Sequence, residues 1–164
     1  MSAFYEFIIS QRALRDYEDR PLAPEHLEAI LEAARWTGSS KNRQDWSFFV
    51  LSDPDRLEGL ADCGDFTQPV RDSAATIVLV REPGGNDFDI GRAAQNIMLA
   101  ASTQGVASCP ITLHWSGQAR EFLGLSEGQE AMYAVALGYP AAEARPRRYG
   151  GRKARDEVVR FDQA

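Results

Sequence analysis

The 164 residues are 44% hydrophobic and 26% charged, the composition of a folded globular chain rather than a disordered one. Their apolar runs, such as Ala74–Val80 and Ala131–Leu137, are too short to span a bilayer, and a single domain over residues 1–164 is expected. The net charge of −6 is uneven: residues 145–164 hold seven Arg/Lys against three acids, leaving about −10 on the body. That balance disfavours broad nucleic-acid binding and points to one local anion site, or to a tail that embraces another subunit.

The first helix is predicted over Ala3–Ser10. Pro24 to Thr37 sets Leu27, Ile30, Leu31 and Ala34 on one face, with Pro24 suited to a first turn and Gly38 to a stop. A strand over Trp46–Leu51 precedes a short helix over Asp53–Asp62, capped by Asp53. Ala74–Arg81 reads as a strand, and Asp89–Gln104 as a central buried helix carrying Ile90, Ala93, Ala94, Ile97, Met98 and Ala101, closed by Gly105. Strand Ala107–Leu113, helix Ser116–Gly124 and strand Ala131–Leu137 follow. The remainder, broken by Pro140, Pro146, Gly150 and Gly151, reads as extended until a short turn near Asp156–Arg160. The class is α+β or mixed α/β, with helices packed on a central sheet.

The start MSAFYEFIIS lacks a basic n-region, so no signal peptide is expected, and Cys63 and Cys109 are read as reduced thiols of a cytoplasmic protein. His26 is expected to be solvated on the polar side of its helix. His114, at a strand end, borders a site or is merely structural. No nucleophile elbow, phosphate loop, dinucleotide fingerprint or metal-ligand spacing occurs, so no metal and no catalytic side chain are expected. A chain so poor in general bases either does no chemistry or leaves the chemistry to a cofactor.

Three clusters carry polar potential. In Gln11–Arg15 two arginines, Arg12 and Arg15, can converge on one anion or form a solvated face. The loop Gly38–Trp46 concentrates Ser39, Ser40, Asn42 and Gln44, which suit a polyhydroxyl chain or a heterocycle edge as well as an ordinary polar turn. In Arg147–Lys153, cations flank a glycine pair, as in a wrapped phosphate site or a solvated basic tail.

Taken in order, these clusters resemble the FMN-dependent nitroreductase family. The resemblance joins the first helix and its arginine turn, the segment Ala34–Trp46, and the central helix Asp89–Ala101. It continues through Gly105–Ile111, Leu137–Pro140 and Arg152–Lys153, nearly the whole chain. It implies an α+β nitroreductase-like fold with a central mixed, mainly antiparallel sheet flanked by helices. It also implies a homodimer with flavin at the subunit interface, each C-terminal extension embracing the partner. By position, Arg12, Ala13 and Arg15 would face the FMN phosphate, ribityl chain and pyrimidine edge, and Arg152 and Lys153 would complete the phosphate site. Ser39, Ser40, Asn42 and Gln44 would reach the flavin from the partner subunit, and the backbone of Ile111, Thr112 and Leu113 would approach the reactive nitrogen.

The chain departs from the family at Gln11 and Ala13, where an arginine and a serine are expected, and at Gly38 and Asp45, which replace two prolines and loosen the loop. Glu82–Asp87 is short where longer members carry covering helices. The function implied is transfer of electrons from NADH or NADPH through FMN to a nitroaromatic, quinone or similar acceptor, in ping-pong fashion. Dehalogenation, flavin fragmentation, azoline oxidation and a non-catalytic flavin module are the alternatives on the same fold. No nucleic acid and no membrane partner are expected.

Overall fold

A computed structural model describes residues 2–147 and 150–162. Four strands form one sheet in the order β1 (Trp46–Leu51), β2 (Ala75–Arg81), β4 (Glu130–Gly138), β3 (Ala107–Thr112), and every pairing among them is antiparallel. The inner strands β2 and β4 are apolar in continuous runs because both of their faces are covered.

On one face Val78, Val80, Ala134 and Ala136 pack against α3 (Pro54–Ala61), α4 (Gln68–Arg71) and α6 (Ser116–Leu123) through Leu57, Leu60, Val70 and Leu123. On the other, Ile77, Leu79, Val135 and Leu137 meet α2 (Pro24–Arg35) and α5 (Asp87–Thr103) through Ile30, Ala34, Ile90, Ala93, Ile97 and Ala101. The small alanines of α5 let it lie close to α2 and the sheet while burying one stripe. Two short helices lie outside this sandwich: α1 (Ala3–Ser10), in which no residue is buried, and α7 (Arg155–Val158), in a wholly exposed stretch.

Local chemistry sets the boundaries. Ser2 Oγ accepts from Tyr5 N–H at the start of α1, Asp53 Oδ1 accepts from Asp55 and Arg56 N–H on α3, and Asn86 Oδ1 accepts from Asp89 N–H on α5. Gly124 ends α6 at φ +66°, the left-handed cap that glycine adopts without strain. Helix α4 is absent from the sequence reading because four residues, Gln-Pro-Val-Arg, are too few to show a period.

His26 is not solvated as expected. Tyr139 Oη accepts from Ala23 N–H (3.2 Å) and lies 2.9 Å from His26 Nδ1, and the Arg20 guanidinium sits 3.4 Å above the Tyr139 ring. Tyr139 is distant in sequence, so helical spacing alone does not reveal the contact. Tyr17 is drawn in the same way: it bridges to Pro140, and its ring fills the space over Gly138, where a Cβ would come within 2.7 Å. Burial pushes the Tyr17 hydroxyl far above its ordinary value. It stays a donor, shared between Leu14 O (3.1 Å) and Ala136 O (3.4 Å).

Candidate functional site

The site grows from the free side of β3. Leu113 N–H donates to Met132 O (2.8 Å), and the register pairs Ile111 with Ala134 and Cys109 with Ala136. Antiparallel parity then turns the backbone groups of Ser108, Pro110 and Thr112 away from β4, toward the open edge. Ser108 O is taken by Leu14 N–H (3.1 Å), which docks the chain after α1, and Pro110 has no N–H. Along the edge the amides left to offer are those of Ser108 and Thr112, and Thr112 is the one that lines the cavities described below. Leu113 is buried with its amide engaged, so of the three positions expected to approach a ligand, Thr112 presents its backbone, Ile111 lines the edge, and Leu113 belongs to the core.

Three adjoining cavities run along this edge. One of about 390 Å³ is ringed by Arg12, Arg145, Pro146, Arg147 and Gly150. It shares Arg147 with a second of about 470 Å³, whose walls include Arg15, Phe66, Cys109, Thr112 and His114. The second shares Pro110, Ile111 and Thr112 with a third of about 380 Å³, floored by Ile90, Gly91 and Ala94 of α5 and by Tyr133 and Ala134. The groove therefore passes from a cluster of cations, past Arg15 and Arg71 with Asp65 on the same wall, to an apolar shelf beside the Thr112 amide. Gly91 helps keep the shelf open: a Cβ there would meet nothing within 4 Å. A glycine inside a helix costs about 1 kcal/mol relative to alanine, and no packing contact requires this one.

The arginines are oriented from behind. Arg12 Nη1 donates to Ile9 O (2.8 Å) and Gln11 O (2.6 Å), and Arg145 Nη1 donates to Ala144 O (2.7 Å) and Ala142 O (3.2 Å). Each guanidinium keeps further donors for an anion. Burial pushes the Cys109 thiol up, while Arg15 and Arg147 oppose the shift, Arg15 also as a donor to the sulfur. His114 Nδ1 accepts from Asp65 N–H (3.3 Å), which leaves the proton on Nε2, and the Phe66 ring stands edge-on to it at 6.0 Å.

The loop with Ser39, Ser40, Asn42 and Gln44 lies away from this groove in the same chain, and none of the four lines it. Ser39 Oγ accepts from Gln44 N–H (2.9 Å), and Gln44 Nε2 donates to Asn42 O (3.3 Å). Lys41, Asn42 and Gln44 all hold φ near +55°, a left-handed conformation costing on the order of 1–2 kcal/mol for a residue with a Cβ. The loosening expected from Gly38 and Asp45 is answered by arginines. Arg92 Nη1 donates to Gly38 O (2.5 Å), and Arg43 pairs with Asp45 at 2.8 Å, neutralising its charge.

Of the C-terminal cations, Arg152 and Lys153 are exposed and line none of the three cavities, whereas Arg145 and Arg147 do. Arg148 and Tyr149 of the same cluster lie outside the described residues. The basic composition of this stretch was visible in the sequence, but not which of its cations would fold back on Arg12. Ala13 packs half-buried against the core. Among the described residues no group of His, Cys, Asp and Glu is gathered to hold a metal.

With this geometry in hand, the chain matches the Nitroreductase family over residues 8–63 and 64–139. It is 30% identical over 154 residues to an Archaeoglobus fulgidus protein provisionally named NADH dehydrogenase/NAD(P)H nitroreductase, covering 87% of this chain and 88% of that one. An NADPH-flavin oxidoreductase of Vibrio harveyi is 25% identical over 169 residues, covering 90% of this chain and 70% of its own length. The solved structure of an FMN-dependent nitroreductase from Clostridium difficile superposes with a TM-score of 0.84 at 26% identity, covering 96% of this chain and 98% of that one.

Proposed function

This chain belongs to the nitroreductase family, and on that premise we propose that it is an FMN-dependent oxidoreductase drawing electrons from NADH or NADPH. FMN, when bound, accepts a hydride from the nicotinamide and returns electrons to a small acceptor, here a nitroaromatic or quinone. The observation that carries the reading is the polarity of the β3 groove. Its cationic end suits a phosphate dianion, and its apolar shelf, with the free Thr112 amide, suits a flat heterocycle bearing acceptor atoms.

Arg12, Arg145 and Arg147 would hold the phosphate, with Arg152 and Lys153 reaching it only in an assembly that folds the tail inward. Arg15 would face the polar edge of the ring, where a fixed cation favours negative charge and so raises electron affinity. Thr112 N–H would orient the ring edge, while Ile90, Gly91 and Ala94 keep water from one of its faces. None of these residues needs to gain or lose a proton.

The reading includes a homodimer. Helix α1 exposes Phe4, Tyr5, Ile8 and Ile9, and the tail exposes Val158 and Phe161, apolar side chains that a partner would take out of water. A partner covering it would bring the Ser39–Gln44 loop of one chain to the groove of the other. A cytoplasmic setting suits two buried free thiols.

The test is an absorbance spectrum of protein soaked in FMN, taken before and after NADH or NADPH is added without oxygen. A retained flavin band that bleaches is the expected result. A protein that retains no flavin, or a band that persists with both donors, overturns the reading.

A further inference from the structure

A second face of α5 grips the Thr37–Ser40 segment. Asn96 Nδ2 donates to Thr37 Oγ1 (2.8 Å), Arg92 Nη1 donates to Gly38 O (2.5 Å), and Ser40 N–H reaches Asp89 Oδ2 (3.5 Å). Positions 89, 92 and 96 are three and four apart, so they form one row along the helix and meet successive residues of the loop in antiparallel order. The row is itself fixed. Asp89 is buried and accepts from Asn86 Nδ2 (3.0 Å), and Arg92 lies 3.6 Å from Asp89. The absent side chain of Gly38 admits the guanidinium, since a Cβ there would lie 3.0 Å from Arg92 Nη2.

We propose that Arg92, with Asp89 and Asn96 beside it, is a positioning residue that presets the Ser39–Gln44 loop for FMN binding. Three left-handed residues within the four positions Lys41–Gln44 cannot persist in an untethered polar loop; something outside must over-determine them. The row on α5 anchors the near side of that turn at Thr37, Gly38 and Ser40, Arg43 holds its far side at Gly84 O and Asp45, and the same helix turns Ile90, Gly91 and Ala94 to the groove. One rigid element thereby sets the shelf of its own groove and the loop destined for the partner's. Preorganisation of this kind lowers the ordering cost of binding without adding a contact to the ligand. The role in FMN binding rests on the proposed function above; the grip itself does not.

Two readouts separate those parts. In FMN-free protein, Arg92→Ala should speed hydrogen exchange of the Ser39–Gln44 amides by about tenfold or more while the sheet amides keep their protection, and Arg92→Lys, which retains a cationic donor but not the planar fork, should fall between. In the loaded protein, FMN Kd should rise by about tenfold, the effect of one charged hydrogen bond. Asn96→Ala, one turn along the row, should act in the same direction and carries the test if Arg92→Ala does not fold. Exchange unchanged in the loop overturns the grip, and faster exchange with FMN Kd unchanged overturns its role in binding. A wild-type protein that retains no FMN removes the proposed function, and the exchange comparison then decides the grip alone.

Discussion

Helices α1 and α5 are both rich in apolar residues, yet they end in opposite environments. In α5 the stripe of Ile90, Ala93, Ile97 and Ala101 is buried against α2 and the sheet. In α1, AFYEFIIS, nothing is buried, and Phe4 is 80% and Ile8 55% exposed. Composition gives a helix its need for a partner, and topology decides whether the same chain supplies it. Leu14 N–H docks the segment after α1 on the open edge of β3, and α1 itself supplies no residue to either core cluster.

The sharpest way to test the contrast is to truncate one isoleucine in each helix. Ile97→Ala should cost about 2–5 kcal/mol in urea unfolding, the cost of a cavity in a core that cannot collapse. Ile8→Ala should leave the unfolding of a dilute protomer nearly unchanged. Equal losses at both sites would erase the distinction.

Arg15→Ala, in the wall of the groove, should weaken FMN binding by roughly 1.5–3 kcal/mol without moving the urea midpoint of the FMN-free protein. Fluorescence titration with FMN measures it. Next, Phe4→Ser combined with Ile8→Ser should weaken self-association by about tenfold or more, near 1.4 kcal/mol, as read by sedimentation. A monomeric wild type would show that α1 tolerates water unaided.

Gly91→Ala sharpens the picture of α5 as a helix with two duties. It should stabilise FMN-free protein by about 0.5–1 kcal/mol through helix propensity. Gly91→Leu should instead block FMN by filling the shelf. The smallest effect belongs to Glu32, which hydrogen bonds from Arg35 and Trp36 hold down at about 2, from an ordinary 4.5. A depressed carboxyl stabilises the fold above its unfolded value and loses that contribution as pH falls through the folded one. Acid unfolding of wild type and Glu32→Gln should therefore differ slightly above pH 4.5 and converge toward pH 2.

Elements with local causes were legible in advance. The bounds of α1 and β1 match their predicted ranges, and Asp53 caps α3 where a capping side chain was expected. Features with distant causes were not. His26 finds Tyr139, and Arg145 and Arg147 rather than Arg152 and Lys153 join Arg12, through tertiary contacts that no period or spacing encodes. The polar loop was legible as a cluster, but its stiffness was misjudged, because Gly38 read alone means freedom and Gly38 beneath Arg92 means a grip. His114 reads in sequence as bordering a site or as merely structural, and in space it lines the groove.

Pro110 has a bearing on solubility as well. An outer strand with a full row of amides is a template on which a stray extended chain can assemble. On β3 Ser108 O is already occupied by Leu14, and Pro110 between Ser108 and Thr112 has nothing to donate, so the outward ladder is interrupted at its middle. The gap that leaves room for a ligand also denies a foothold to aggregation.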